Sequence, residues 1–289
     1  MTSAVRSATA APRRRGTYLY YRHALPVRVM HWINVIALTV LLMSGLNIFS
    51  AHPALYWGQS SYSGRPPVFE IGSGEDPRGN TVGITRLLGH DFVTTGVLGA
   101  GRAADGEVVD RTFPSWLTIP GNRWLAMARR WHFFFAWIFV INGLCYLAYS
   151  IASRHLSRDL VPDRTDWRSI GRSIIDHLRF RHPVGEAAKR YNVLQKLAYL
   201  TVIFVLLPLV ILMGMAMSPR LDSVLPGWVD FFGGRQSART IHFIAAWAIV
   251  AFVLIHVFEV IVSGFWNELR SMITGRYRLQ TEAPDETAR

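Results

Sequence analysis

The sequence predicts an all-α membrane protein: a four-transmembrane-helix bundle, N-in and C-in, with a long outer loop between helices 1 and 2. Three observations carry that prediction. The 289 residues are 51% hydrophobic and only 17% charged, with a single cysteine, which fits neither a disordered chain nor a disulfide-stapled secreted domain. The apolar residues are gathered into four charge-free blocks, Val29 to Ser50, Trp131 to Ser153, Leu197 to Pro219 and Thr240 to Phe258. Each is close to the ~20 residues an α-helix needs to cross a bilayer core, and the flanks carry the basic and aromatic residues of membrane interfaces.

Residues 1–28 form an inner N-terminal tract. Its start, MTSAVRSATAAPRRRG, lacks an apolar core, so the first span (29–50) serves as the anchor in place of a cleaved signal peptide. The outer loop, 51–128, is rich in Gly, Pro and aromatic residues and carries seven acids, a mixture expected of a small ordered element rather than a flexible linker. The second span covers 129–153. Residues 154–192 are a basic inner loop whose periodicity around Trp167 to Phe180 predicts an amphipathic helix at the interface. The third span covers 193–217, an outer loop 218–239 and the fourth span 240–264. Residues 265–289 are an inner tail, with TEAPDETAR expected to fray. Of the 31 basic residues, 20 fall on the side of the termini, as the positive-inside rule expects of a bacterial inner-membrane protein. Cys145, in the middle of the second span, reads as a packing residue.

Six of the ten histidines (His23, His52, His90, His155, His177, His182) fall in loops or at interfaces, where solvated or capping roles are expected. His31, His132, His242 and His256 lie inside spans, where an ionisable group is costly and points to function. In the predicted topology His31 and His256 sit near the inner face, and His132 and His242 near the outer face. His256 follows His242 by 14 residues, roughly 21 Å along the helix and about 40° short of four whole turns, so both project from one face of the fourth span. Two imidazoles facing each other with no third ligand at their level could hold the iron of a porphyrin from both sides, whereas zinc wants more ligands.

Gly45 follows His31 by 14 residues and Gly143 follows His132 by 11, which places each glycine on its histidine's face at the level of the other pair. Either could make room for a macrocycle or simply help membrane helices pack. Propionates need basic partners near the bilayer surface. Arg22 and Arg28 are candidates at the inner level and Arg129, Arg130 and Arg239 at the outer, with lipid headgroups as the competing use.

With those residues in place, the chain resembles the four-helix di-haem cytochromes b: bacterial cytochrome b561, the b-type subunits of nickel–iron hydrogenases, the gamma subunit of membrane formate dehydrogenase and thiosulfate-reductase-like cytochromes b. The resemblance rests on Arg28-Val-Met-His31-Trp32, Arg130-Trp-His132, Arg190-Tyr-Asn192-Val-Leu-Gln195-Lys196, and Arg239-Thr-Ile-His242 followed by His256. It implies two haems b, ligated by His31 with His256 and by His132 with His242, and a respiratory electron-transfer subunit without a catalytic centre of its own, working between a membrane quinone and an outer-side redox partner. It also implies a quinone site near Asn192, Gln195 and His256, although Leu194 stands where the formate dehydrogenase pattern has Gly. By spacing alone, Asn192 and Gln195 could equally be a helix cap and its N3 partner. The long outer loop, with LPGWVDFFGGRQSAR between spans three and four, is similar to cytochromes paired with sulfite-oxidase-like molybdopterin oxidoreductases, ahead of hydrogenases. The competing functions are a stand-alone b561-type oxidoreductase taking electrons from a small donor such as superoxide, and a haem-free transporter or scaffold, against which stands the absence of an inverted repeat. For a proton relay, Glu259, one turn beyond His256, is the only candidate, with a snorkelling interface carboxylate as its alternative.

Overall fold

The computed structural model describes residues 16–61, 64–103, 105–121, 123–179, 190–225 and 227–280. The start of the N-terminal tract, His182 and the TEAPDETAR tail lie outside the described residues.

Among the described residues four helices are long and apolar enough to cross a membrane, and the chain is a multi-pass membrane protein. The first span is α1 (Leu25–Phe49), with Pro26 in its first turn where a missing N–H costs nothing. The second is α2 (Leu125–Ala152). Its residues Phe134, Trp137, Ile141, Leu144 and Ile151 are exposed at intervals that mark one lipid-facing side. After the amphipathic helix α3 (Arg164–Leu178), the third span is built from α4 (Val193–Thr201) and α5 (Leu207–Ala216), joined by a π-helical turn over Val202–Leu206. Pro208 explains that turn: it has no N–H, and its ring crowds the carbonyl four residues back, so the helix widens just before it. Short helices α6 (Pro219–Val224) and α7 (Trp228–Phe231) lead into the fourth span, α8 (Arg235–Val262).

The spans form two leaves. Helix α1 packs along α2, and α5 along α8, while close backbone approaches between the leaves are sparse among the described residues. Within the first leaf, buried Asn142 donates to Met30 O at 2.8 Å and to Asn34 Oδ1 at 2.7 Å. Such amide clasps substitute, in hydrocarbon, for the hydrophobic drive that lipid does not supply.

The fold is not all-α as expected. The loop after α1 folds into a four-stranded antiparallel sheet, β2 (Ala54–Leu55), β3 (Phe69–Glu75), β4 (Thr81–Leu87) and β5 (His90–Val93), followed by the hairpin β6 (Ala100–Arg102) and β7 (Val108–Asp110). Ile71 of β3 shares a buried cluster with Leu46 and Phe49 of α1, Leu55 and Phe113. Phe49 and Phe69 both pack on Phe243 of α8, with ring centres 4.9 and 5.5 Å from it. The sheet is therefore seated on the bundle's loop end.

The terminal end, where the sequence predicts a tract and a tail, also has a cap. Strand β1 (Thr17–Tyr21) pairs antiparallel with β8 (Arg276–Gln280), after helix α9 (Phe265–Thr274). Arg22 Nη1 reaches both Glu268 oxygens of α9 at 3.1 and 3.2 Å and lies over the Tyr277 ring. Asp166 of α3 meets Lys196 of α4 at 2.7 Å, both largely buried. Leaving one member of a buried pair without its partner costs about 3–5 kcal/mol, so Asp166→Asn is expected to release α3. Hydrogen exchange checks this: faster exchange across 164–178 with the spans unchanged.

His23, expected to be solvated, is buried beneath the cap. Burial, reinforced by neighbouring Arg22, lowers its pKa to about 4 from 6.5. The folded protein therefore binds fewer protons than the unfolded chain between those values. Its contribution to stability is complete above pH 6.5 and is lost as pH falls toward 4, by up to about 3 kcal/mol. A melting point that drops between pH 7 and 4.5, and drops less in His23→Phe, is the expected result.

Candidate haem sites

The four span histidines meet as two pairs. The ring centres of His31 (α1) and His256 (α8) are 6.4 Å apart, and those of His132 (α2) and His242 (α8) are 6.3 Å apart. Each pair takes one imidazole from each leaf, and the 14-residue spacing on α8 sets the levels roughly 21 Å apart.

At the loop-end level, both rings are oriented by hydrogen bonds. His242 Nδ1 lies 2.8 Å from Val210 O. A carbonyl only accepts, so Nδ1 carries the proton and Nε2 keeps its lone pair. His132 Nδ1 lies 3.1 Å from Ser44 Oγ, while that hydroxyl donates to Val40 O at 2.6 Å. The serine's one proton is thereby committed, its oxygen accepts from His132 Nδ1–H, and Nε2 is again the free nitrogen. This is the outer-shell arrangement that fixes the tautomer of a metal-binding histidine.

Glycines make room for the same two rings. A Cβ on Gly45 of α1 would meet His132 Cε1 at 3.4 Å, and one on Gly214 of α5 would meet His242 Cε1 at 3.3 Å. In each leaf the neighbouring helix thus supplies both a notch and a hydrogen-bond acceptor. The clearance at Gly45, expected to admit a macrocycle, receives the His132 ring. A Cβ on Gly143 would meet nothing within 4 Å, so open space lies beside it.

At the terminal-end level, His256 stacks on Phe252 with planes 14° apart, and His31 meets Trp32 edge-on with centres 5.5 Å apart. Phe252 in turn packs on Tyr199 of the third span.

The donor set fits a haem iron bound through two imidazoles. Metal–nitrogen bonds of about 2.0–2.1 Å, plus roughly 1.1 Å from nitrogen to ring centre on each side, total about 6.3 Å, the separation found in both pairs. Among the described residues no group of three or more His, Cys, Asp or Glu is placed to hold a metal, which disfavours zinc.

Three of the five arginines expected to meet propionates are engaged elsewhere. Arg22 holds Glu268, and Arg28 donates to Ile273 O at the end of α9. Arg239 donates to His52 O and Ala54 O, over the ring of Phe49. Arg129 and Arg130 are exposed at the loop end of α2, with Arg129 near the Phe133 ring. Asn192 and Gln195 form a complete capping box at the start of α4: Asn192 Oδ1 accepts from Gln195 N at 2.9 Å, and Gln195 Oε1 accepts from Asn192 N at 3.2 Å. Their side-chain oxygens serve the helix end, so the capping box is present.

The matching family model is that of the prokaryotic cytochrome b561 proteins, over residues 22–275. The chain belongs to this family. It is therefore a b-type haem-binding membrane electron-transfer protein. It is 27% identical over 83% of its length to a putative protein-methionine-sulfoxide reductase subunit YedZ1 from Azospira oryzae, covering 89% of that relative. It is 24% identical to a probable Ni/Fe-hydrogenase B-type cytochrome subunit from Cupriavidus necator, with 90% of this chain and 86% of that one covered. A protein of the same description from Rhodobacter capsulatus is 23% identical, with 91% and 82% covered. No solved structure matches significantly.

Ser44, Gly214, the Val210 carbonyl and the Asn34–Asn142 clasp did not emerge from the sequence as site residues. The polar residues inside otherwise charge-free blocks were a usable signal; a backbone carbonyl leaves none. Gly214→Val places methyl groups against His242 and is expected to lower haem content by about half in a protein that still folds, read from the reduced-minus-oxidised spectrum per chain.

Proposed function

We propose that this cytochrome is a di-haem subunit carrying electrons between a membrane quinone at its terminal end and a redox partner docked on its loop end. The observation that carries this reading is the two imidazole pairs, one toward each end of the bundle, at the spacing of axial ligands. Two haems b, when bound, would supply reversible one-electron exchange at each end.

In this reading His31 and His256 hold the iron of the terminal-end haem, and His132 and His242 that of the loop-end haem. Ser44 and Val210 O keep the latter pair in the ligating tautomer, while Gly45 and Gly214 let the rings seat without strain. Arg129 and Arg130 are the cations available to loop-end propionates. Arg22, Arg28 and Arg239 act as struts that hold the caps.

Both termini lie on the cytoplasmic side of a bacterial inner membrane in this proposal, supported by the bias of basic residues toward that end. The partner then binds from the periplasm. Its platform combines both outer loops: Gly58 O accepts from Gln236 N and Ser237 N, and Gln59 pairs with Asp230. Such a braced surface suits a protein partner better than a small diffusing donor. A molybdopterin oxidoreductase is favoured over a hydrogenase as that partner, the long outer loop being the feature that supports it.

A short-chain quinol added to purified protein is expected to reduce haem in the wild type. His256→Ala should slow this at least tenfold, whereas His132→Ala should still permit reduction of the remaining haem. Equal loss in both variants would contradict entry of electrons at the terminal end.

A further inference from the structure

Helix α3 turns one side to the protein and the other outward. Asp166, Ser169 and Ser173 lie on its half-buried side, and Asp166 Oδ2 accepts from Lys196 Nζ, in the first turn of α4, at 2.7 Å. The outward side carries Arg164, Arg168 and Arg172, which recur every four residues and so form a stripe that drifts only about 40° per step. Trp167, Ile174 and Ile175 are exposed alongside them. Because α3 is pinned to the point where the third span begins, this side lies at headgroup depth, where an exposed Trp beside cations is at home. Helix α9, at the same end, likewise exposes Trp266.

The stripe is open to an anion. A hollow of about 280 Å³ is lined by Thr165, Arg168, Ser169 and Arg172. Thr165 Oγ1 donates to Asp163 Oδ1 at 2.6 Å and Ser169 Oγ to Asp166 O at 2.9 Å, so both hydroxyl protons are committed and the guanidinium N–H groups are the donors available there. Among the described residues none of the three arginines has a hydrogen-bond or ion-pair partner. The acids nearest to them are occupied: Asp163 accepts from the N–H groups of Thr165 and Asp166, and Asp166 holds Lys196. Asp176, one turn beyond Arg172, is the remaining acid of α3.

We propose that this hollow seats the phosphate of an anionic phospholipid from the leaflet at the terminal end, held between Arg168 and Arg172, with Arg164 extending the positive field. Side chains four apart on a helix are neighbours, and two guanidinium forks converging on one phosphate match its oxygens. The acyl chains then leave past Trp167 and Ile174 into the hydrocarbon. That apolar flank selects a lipid over an acidic protein or a nucleic acid, either of which would meet the cations and gain nothing from the exposed Trp and Ile. The inference stands apart from the haem and quinone readings.

The test titrates phosphatidylglycerol into delipidated full-length protein in a neutral detergent, with bound lipid counted by native mass spectrometry. Hydrogen exchange over 164–178 is then compared between nanodiscs of phosphatidylcholine alone and nanodiscs containing phosphatidylglycerol. The wild type is expected to bind phosphatidylglycerol ahead of phosphatidylcholine and to gain protection over 164–178 only when the anionic lipid is present. A surface cation near an anionic leaflet contributes roughly fivefold, so Arg168→Gln/Arg172→Gln should weaken binding about 25-fold and abolish the added protection at an unchanged melting point. Arg168→Lys/Arg172→Lys, which keeps both charges, should recover most of that loss. Arg78→Gln/Arg220→Gln makes the same charge change on exposed residues at the loop end and should leave binding as in the wild type. Equal binding of the two lipids, equal loss in the loop-end control, or a glutamine pair that binds like the wild type would overturn the assignment. Displacement of the lipid by millimolar inorganic phosphate would also overturn it, by making the hollow a site for the free anion.

Discussion

The bundle is organised by the need to place four imidazoles inside an apolar sheath with hardly any counter-charge. An imidazolium in hydrocarbon is costly, so each ring must be neutral, and a neutral ring still has a donor nitrogen to satisfy and an acceptor nitrogen to employ. At the loop end the donors go to Ser44 Oγ and Val210 O. Both acceptors then belong to whatever lies between the rings, and a metal is the partner that uses two facing lone pairs at once. The two-leaf construction follows, because rings that must face each other across a planar group require the helices carrying them to stand apart.

Helices that stand apart need holding at their ends. At the loop end Arg239 and Thr240 of α8 bind carbonyls at His52, Ala54 and Tyr56, while Asn47 of α1 donates to Ile119 O and Gly121 O. The sheet consequently bridges the leaves and presents a rigid outer surface. At the terminal end the β1–β8 pair, the Arg22–Glu268 contact and the α9 interactions with Arg28 and Trp32 tie the first span to the segment following the fourth. At the end of α9, Ile273 O accepts from Arg28 and Met272 O from Trp32, the former a favourable use of a cation at a helix C-terminus.

The spans were legible because hydrocarbon demands about 20 apolar residues in a row, and that demand is written locally. The histidine pairing was legible too, since one helix carried two imidazoles at an almost whole number of turns and the alternation of the spans fixed their depths. The terminal cap was not legible, because Thr17 and Gln280 pair across nearly the whole chain and short strands of mixed composition carry little periodic signal. Asn192 and Gln195 are a different case: by spacing the same two side chains fit a ligand site or a capping box, and the geometry shows the capping box. Gly45 was ambiguous and Gly214 went unread for a related reason: small residues in spans pack helices in general, and the ring that each receives belongs to another helix.

The most direct test of the account is the number and ligation of haems in the wild-type protein, from a pyridine haemochrome assay per chain combined with near-infrared magnetic circular dichroism of the oxidised form. Two b haems per chain, both with the charge-transfer band of bis-imidazole ligation, is the predicted result. One haem, none, or a haem with a ligand other than two imidazoles would contradict it.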